Sequence, residues 1–123
     1  MLVDLRTYTT RPGTTAKQLA LYRDYGYDIQ RRHIGEPMAF LVTESGELNS
    51  YVHLWRYESA AQREQARAAL QKDPDWLMYL AKSAEAGNLV SQENRLLIPA
   101  PFWNQNSSDG FLEAKDQLSV PEP

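Results

Sequence analysis

The sequence predicts an α+β protein in which a four-stranded antiparallel sheet carries its helices on one face. Three observations predict it. Side chains alternate with a period of two over residues 2–9, 36–43, 51–57 and 89–98. Helical spacing runs from Thr15 to a stop at Gly35, and again over 59–83. The resulting order, strand, helix, strand, strand, helix, strand, consists of two strand-helix-strand halves, the split arrangement that leaves the second face of the sheet open.

In Leu2 to Thr9, Val3, Leu5 and Thr7 alternate with Asp4, Arg6 and Tyr8, and Arg11-Pro12-Gly13 ends the strand with turn chemistry. Thr15 and Gln18 have the spacing of a capping box. Leu19, Tyr22, Gly26, Ile29 and His33 then recur at three- and four-residue steps, which predicts one helix with one buried stripe, stopped by Gly35. Glu36 to Thr43 is the second strand, with Met38, Phe40 and Val42 on one side and Ala39 and Leu41 on the other. Glu44 to Asn49 holds a Ser-Gly turn into the third strand, so these two strands are expected to form a hairpin.

The third strand places Tyr51, His53, Trp55 and Tyr57 on one side and Val52 and Leu54 on the other. If its aliphatic side faces the helices, the aromatic side needs a partner subunit or a ligand. Ser59 and Gln62 repeat the capping-box spacing and open a polar, alanine-rich helix to about Lys72, with Arg63, Glu64 and Arg67 on solvated faces. Asp73 as N-cap and Pro74 as first residue restart it, with Trp76, Leu77, Tyr79 and Leu80 as a short apolar stripe reaching Ser83. Gly87 ends that element, and Leu89 to Ile98 is the last strand. In it Val90, Gln92, Asn94, Leu96 and Ile98 alternate with Leu89, Ser91, Glu93, Arg95 and Leu97. After Trp103 the composition becomes loop-like, so residues 2–103 read as one domain and 104–123 as a tail or arm lying on a surface.

The open face of such a sheet displays Phe40, Val42, Tyr51, His53, Trp55 and Tyr57, or their opposite set. Either is a larger apolar patch than soluble monomers carry, and self-association through the sheet faces is the expected remedy. A net charge of −3 with interspersed signs offers no basic field for nucleic acid or anionic lipid. Without cysteine, thiolate nucleophiles, disulfides, iron–sulfur clusters and Cys-type zinc sites are excluded. Two histidines without metal-ligand spacing predict no metal site, and no cofactor is expected. The start of the chain lacks a basic leader before an apolar run, and no stretch is long and apolar enough to span a bilayer, so a cytoplasmic protein is expected.

Five motifs carry a family resemblance: Leu5-Arg6-Thr7-Tyr8-Thr9 with Arg11-Pro12-Gly13; Tyr22 with Gly26; Val52-His53-Leu54-Trp55-Arg56-Tyr57; Asp73-Pro74-Asp75-Trp76; and Gln92 through Pro99. In this order, over residues 2–103, they resemble the NIPSNAP family. The resemblance implies a ferredoxin-like dimeric α+β barrel, a fold shared with cofactor-free monooxygenases, dehydratase- and isomerase-like enzymes and some haem enzymes. It implies no particular reaction. The family is best known from mitochondrial proteins linked to signalling and trafficking.

His53 is the first candidate for chemistry, since an imidazole exchanges protons near neutral pH and its strand sets it among Tyr51, Trp55 and Tyr57. Arg6 is expected to hold a carboxylate or enolate oxygen, and Glu93 to act as a base raised by burial. Tyr8, Trp55 and Tyr57 are expected to position a ring, Arg95 to share the oxyanion role, Asn94 to face the helices and orient a group there, and His33 to touch the ligand or cap its own helix. Against these roles stand structural ones: His53 bonding across a dimer interface, Glu93 and Arg95 as cross-strand ion pairs. The functional expectation is a homodimer that binds a small, partly apolar molecule between the sheet and its helices or at the sheet–sheet seam. Cofactor-free proton transfer or oxygenation of an acidic planar substrate is the most economical activity. The alternative is a non-catalytic interaction or signalling module. A cavity of at least ~300 Å³ lined by His53 or Arg6 separates the two.

Overall fold

Alternation in the four apolar segments becomes a sheet of four strands in the computed structural model, which describes residues 1–103. The elements are β1 (Leu2–Thr10), α1 (Thr15–Tyr25), α2 (Tyr27–Ile34), β2 (Ala39–Val42), β3 (Ser50–Tyr57), α3 (Ala60–Lys72), α4 (Pro74–Ala86) and β4 (Leu89–Leu97). The strands lie in the order β2-β3-β1-β4, every neighbouring pair antiparallel, which is the ferredoxin-like arrangement expected from the two halves. β2 and β3 form the expected hairpin, with Gly46 at φ +101° in its turn, a left-handed conformation that a glycine adopts without a Cβ clash. The tail predicted over 104–123 lies outside the described residues.

The register decides which side chains meet. Asp4 sits opposite Trp55, Arg6 opposite His53 and Tyr8 opposite Tyr51, while on the other flank of β1 Arg6 faces Asn94 and Tyr8 faces Gln92. Paired residues point to the same side, so all of these lie on one face of the sheet. That face is the one the helices cover. Tyr51, His53, Trp55 and Tyr57 are buried, whereas Val52, Leu54 and Arg56 are half-buried on the other side. This reverses the first orientation considered for β3 and selects the opposite set for the open face. The physical reason is bulk: the layer between the sheet and the helices is filled by rings from both sides, with Tyr22 of α1 stacked 5.3 Å from Phe40 and Trp55 and Tyr57 packed with Ala66 of α3. The aliphatic Val3, Leu5, Leu41, Val52, Leu54 and Leu97 are left on the open face.

The single helix expected between Thr15 and Gly35 is two helices meeting at Gly26. The Gly26 N–H still reaches the Tyr22 carbonyl at 2.8 Å, but its φ of −123° breaks the helical run. A Cβ there would sit 3.0 Å from Tyr22 Cδ1 and 3.1 Å from Tyr79 Cγ, so glycine is what lets α4 approach the bend. The first capping box is not formed. Thr14 is the N-cap, the Thr15 hydroxyl pairs with that of Thr10 at 2.6 Å, and Gln18 is buried, donating to the Tyr79 hydroxyl at 3.2 Å and to Ser83 at 3.1 Å. A buried amide between two packed helices took a residue that the spacing alone assigned to a terminus.

The second capping box is half formed: the Gln62 N–H donates to Ser59 Oγ at 3.1 Å, while the Gln62 side chain accepts from the Glu58 N–H, one residue before the cap, at 3.2 Å. Asp73 caps α4 by accepting the Asp75 N–H at 2.9 Å with Pro74 as first residue, and the helix continues past Ser83 until Gly87 turns left-handed at φ +64°. β2 is shorter than its alternating stretch. The buried clusters are aromatic: Tyr22, Leu70, Trp76 and Tyr79 between the helices, and Trp55, Tyr57 and Ala66 beneath α3. No helix among the described residues is long and apolar enough to cross a membrane.

Candidate functional site: a cavity between sheet and helices

The rings that fill the layer do not close it. A cavity of about 420 Å³ remains between the sheet and the helices, floored by Arg6, Tyr8, Phe40, Tyr51 and His53 and roofed by Tyr22, Gln30, Trp76 and Tyr79. This volume lies within the ~300–1,000 Å³ range of small-molecule sites. Strand alternation delivers the floor and the helical stripes deliver the roof, so each side chain is there because its element needed an inward residue at that position.

His53 lies at the centre of the floor, 3% exposed, its ring parallel to Phe40 at 4.7 Å and to Tyr8 at 5.0 Å. The Trp55 indole N–H donates to His53 Nδ1. An indole nitrogen only donates, so Nδ1 must be the acceptor, and the proton of the neutral imidazole resides on Nε2. Burial pushes the His53 pKa down to about 3, the nearby Arg6 guanidinium acts in the same sense, and Asp4 only partly opposes them. The ring is neutral at physiological pH.

Arg6 is held from two sides. Its Nε donates to the Tyr8 hydroxyl at 3.0 Å and its Nη1 to Asp4 Oδ2 at 3.3 Å. Asp4 is fully buried and also accepts from Arg63 Nε and Nη2 at 3.2 and 3.1 Å and from Asn94 Nδ2 at 3.1 Å. Overhead, the Tyr22 hydroxyl donates to Gln30 Oε1 at 2.5 Å. Burial raises the Tyr22 and Tyr51 phenols well above their ordinary value and Tyr79 to about 12, so these hydroxyls keep their protons. Arg6 and Arg67 are the charged groups on the lining, and no carboxylate lines the cavity among the described residues.

The structure brings Arg6, Tyr8 and His53 together and separates the others from them. Trp55 and Tyr57 are buried beside the cavity without lining it, and Trp55 reaches the site through His53, by its hydrogen bond and by an edge-on ring contact at 5.6 Å. Asn94 is on the helix-covered side, where it binds Asp4. Glu93 and Arg95 face the other way, opposite Thr7 and Leu5, so Glu93 does not share a site with His53. His33 is also apart from the cavity. Its Nε2 lies 2.8 Å from Asp73 Oδ2, and Arg32 donates to the same oxygen at 2.8 Å, so it ties α2 to the start of α4 rather than capping its own helix. Hydrogen bonds from His33, Arg32 and the Asp75 N–H hold the Asp73 carboxyl well below the usual carboxylate range.

Sequence reasoning did not single out Asp4, Gln30, Trp76 or Tyr79 for the site. The signal for Asp4 was present: a carboxylate on an inward strand position two residues from an arginine requires a buried partner. Among the described residues no group of three His, Cys, Asp or Glu could hold a metal ion.

These features define a ferredoxin-like α+β domain with an aromatic, arginine-bearing cavity under its helices. A family model, NIPSNAP, matches residues 3–104, and the chain belongs to the NIPSNAP family. It is 38% identical over 96 residues to a Dictyostelium discoideum protein named as a NipSnap homolog, covering 78% of this chain and 41% of that one. The chain therefore spans less than half the length of that relative. The crystal structure of an uncharacterized NIPSNAP domain protein from Burkholderia xenovorans superposes with a TM-score of 0.79 at 31% identity, covering 85% of this chain and all of that one. The fold alone is shared with an antibiotic biosynthesis monooxygenase, at a TM-score of 0.57 and 14% identity over 82% of this chain and all of that one.

Proposed function

We propose that the protein binds a small, planar, partly apolar molecule in the cavity between its sheet and its helices. One observation carries this reading: a cavity of about 420 Å³ opens between the sheet and the helices, and two of the candidate polar residues, Arg6 and His53, line it. Parallel rings at Tyr8, His53 and Phe40 form a flat floor suited to stacking. A screen of small aromatic compounds by ligand-observed NMR, followed by mapping of amide shifts, tests the reading. Binders should shift Tyr8, Tyr51 and His53 together. Hits confined to other surfaces, or none at millimolar concentration, count against it.

We also propose that two copies associate through the open sheet face. Its central stripe of Leu5, Val52 and Leu54, flanked by Leu41 at 57% exposure, is continuous across three strands. Sedimentation should give a dimer, and Leu54→Lys, a charge in the middle of that stripe, should give a folded monomer. A monomeric parent protein, or a variant that remains dimeric, overturns this association.

A further inference from the structure

Three polar side chains at the centre of the cavity floor, Arg6, Tyr8 and His53, each offer an occupant a donor, and one of them is fixed as such by a neighbour outside the cavity. Arg6 spends Nε on Tyr8 and Nη1 on Asp4, which leaves its Nη2 without a partner among the described residues. The Tyr8 hydroxyl accepts from Arg6, so its own proton is free to point elsewhere. His53 has Nδ1 occupied by Trp55, so the ring nitrogen left for the cavity carries the proton. Arg67 adds a second positive charge to the lining, and no carboxylate there balances the pair. Asp4, which balances Arg6, lies outside the lining and is shared with Arg63 and Asn94.

We infer that the cavity selects a planar aromatic or enolic monoanion, its oxygen held by Arg6 and by the Nε2–H of His53, with Trp55 positioning that histidine as a permanent donor. The inference rests on the cavity reading above and narrows it to a ligand class. A lining with two arginines and no carboxylate discriminates against cations by repulsion. It discriminates against neutral rings by the ion–ion attraction to Arg6, which an ionised oxygen gains in addition to the hydrogen bond and an amide carbonyl does not. The Trp55–His53 bond adds a second level of selection. With Nδ1 engaged, the ring cannot turn its lone pair toward a ligand donor without leaving a buried indole N–H unpaired. Trp55 is thus a positioning residue, and it sits two residues along the same strand, where the period of two places both rings on one face.

The test uses three rings of one size and three charges: benzoate, benzamide and benzamidine, titrated into the full-length protein by calorimetry at neutral pH. Benzoate should bind about ten-fold or more tighter than benzamide, and benzamidine should not bind. Benzamide or benzamidine binding as well as benzoate overturns the anion class and leaves the cavity reading intact. No binding by any of the three overturns both. Trp55→Phe separates positioning from mere packing. It should weaken benzoate several-fold with little change for benzamide, and nitrogen-15 spectra should show His53 passing from a single Nε2–H tautomer to a mixture. Equal loss for both compounds, or an unchanged tautomer, makes Trp55 a packing residue only and overturns its assigned role.

Discussion

Replacing Asp4 with alanine should cost about 3 kcal/mol of folding stability, the lower end of what breaking a buried ion pair from one side usually costs. Asp4 is fully buried and is the one carboxylate to which Arg6, Arg63 and Asn94 all donate. Alanine leaves two guanidinium groups facing each other with nothing between them. The lower end applies because the Arg6 and Arg63 side chains keep 16% and 22% exposure and can swing partly into water. Asp4→Asn keeps the shape and an acceptor oxygen, so it should lose less. Denaturant titration at unchanged m-value measures both. A loss below about 1 kcal/mol for the alanine variant means that the network is ornamental to the fold. The variant also bears on the site, because Arg6 is aimed by Asp4, and the position of its guanidinium on the cavity floor depends on that bond.

The overall fold was legible because it depends on long, repeated signals. Alternation over eight to ten residues survives local exceptions, and the order of elements leaves few topologies for a sheet with helices on one face. Caps were legible where both partners are local in sequence, as at Ser59 and Asp73. They were illegible where a residue with capping spacing had a stronger use elsewhere, as Gln18 does between α1 and α4. The break at Gly26 depends on how closely Tyr79 packs, a tertiary fact that no spacing in α1 contains.

The orientation of β3 shows the limit most clearly. Both of its sides are apolar enough to be buried, so the pattern fixes which residues share a face but not which face meets the helices. His53, Arg6 and Tyr8 could be grouped from alternation and register. Trp76 and Tyr79 enter the site from α4, and only packing brings them in, whereas Asp4 shares its strand side with Arg6 and only its partner Arg63, 59 residues on, comes from packing. Glu93 failed as a candidate for a related reason: alternation placed it with Arg95, and the register of β4 against β1 then set both on the open side.

His53 should make the protein acid-sensitive above the range in which carboxylates usually titrate. In the unfolded chain its imidazole titrates near the ordinary value of 6.5, and in the fold at about 3. Above pH 6.5 neither state binds the proton, and the group leaves stability flat. Between 6.5 and 3 the unfolded chain takes up a proton that the folded ring refuses, so unfolding becomes easier as pH falls, by up to about 1.4 kcal/mol per unit. Asp73 works in the same direction but lower down. Its carboxyl is depressed in the fold, so the stability it contributes is present above its unfolded value and is lost only as pH falls below the ordinary carboxylate range. The interval from pH 6.5 to 5 therefore lies above the Asp73 contribution, and comparison with a variant lacking the His53 ring removes what the rest of the protein, His33 included, contributes. Over it the parent protein should lose about 2 kcal/mol relative to His53→Gln, whose side chain does not titrate and can still accept from Trp55. Parallel stability curves for the two proteins would mean that the folded ring takes up its proton as readily as the unfolded one. The Trp55 bond would then not hold, since a charged imidazole has no lone pair to receive the indole N–H. A neutral ring at pH 5 and a steeper parent curve together would place His53 where the geometry has it, as a buried donor whose second nitrogen is already engaged.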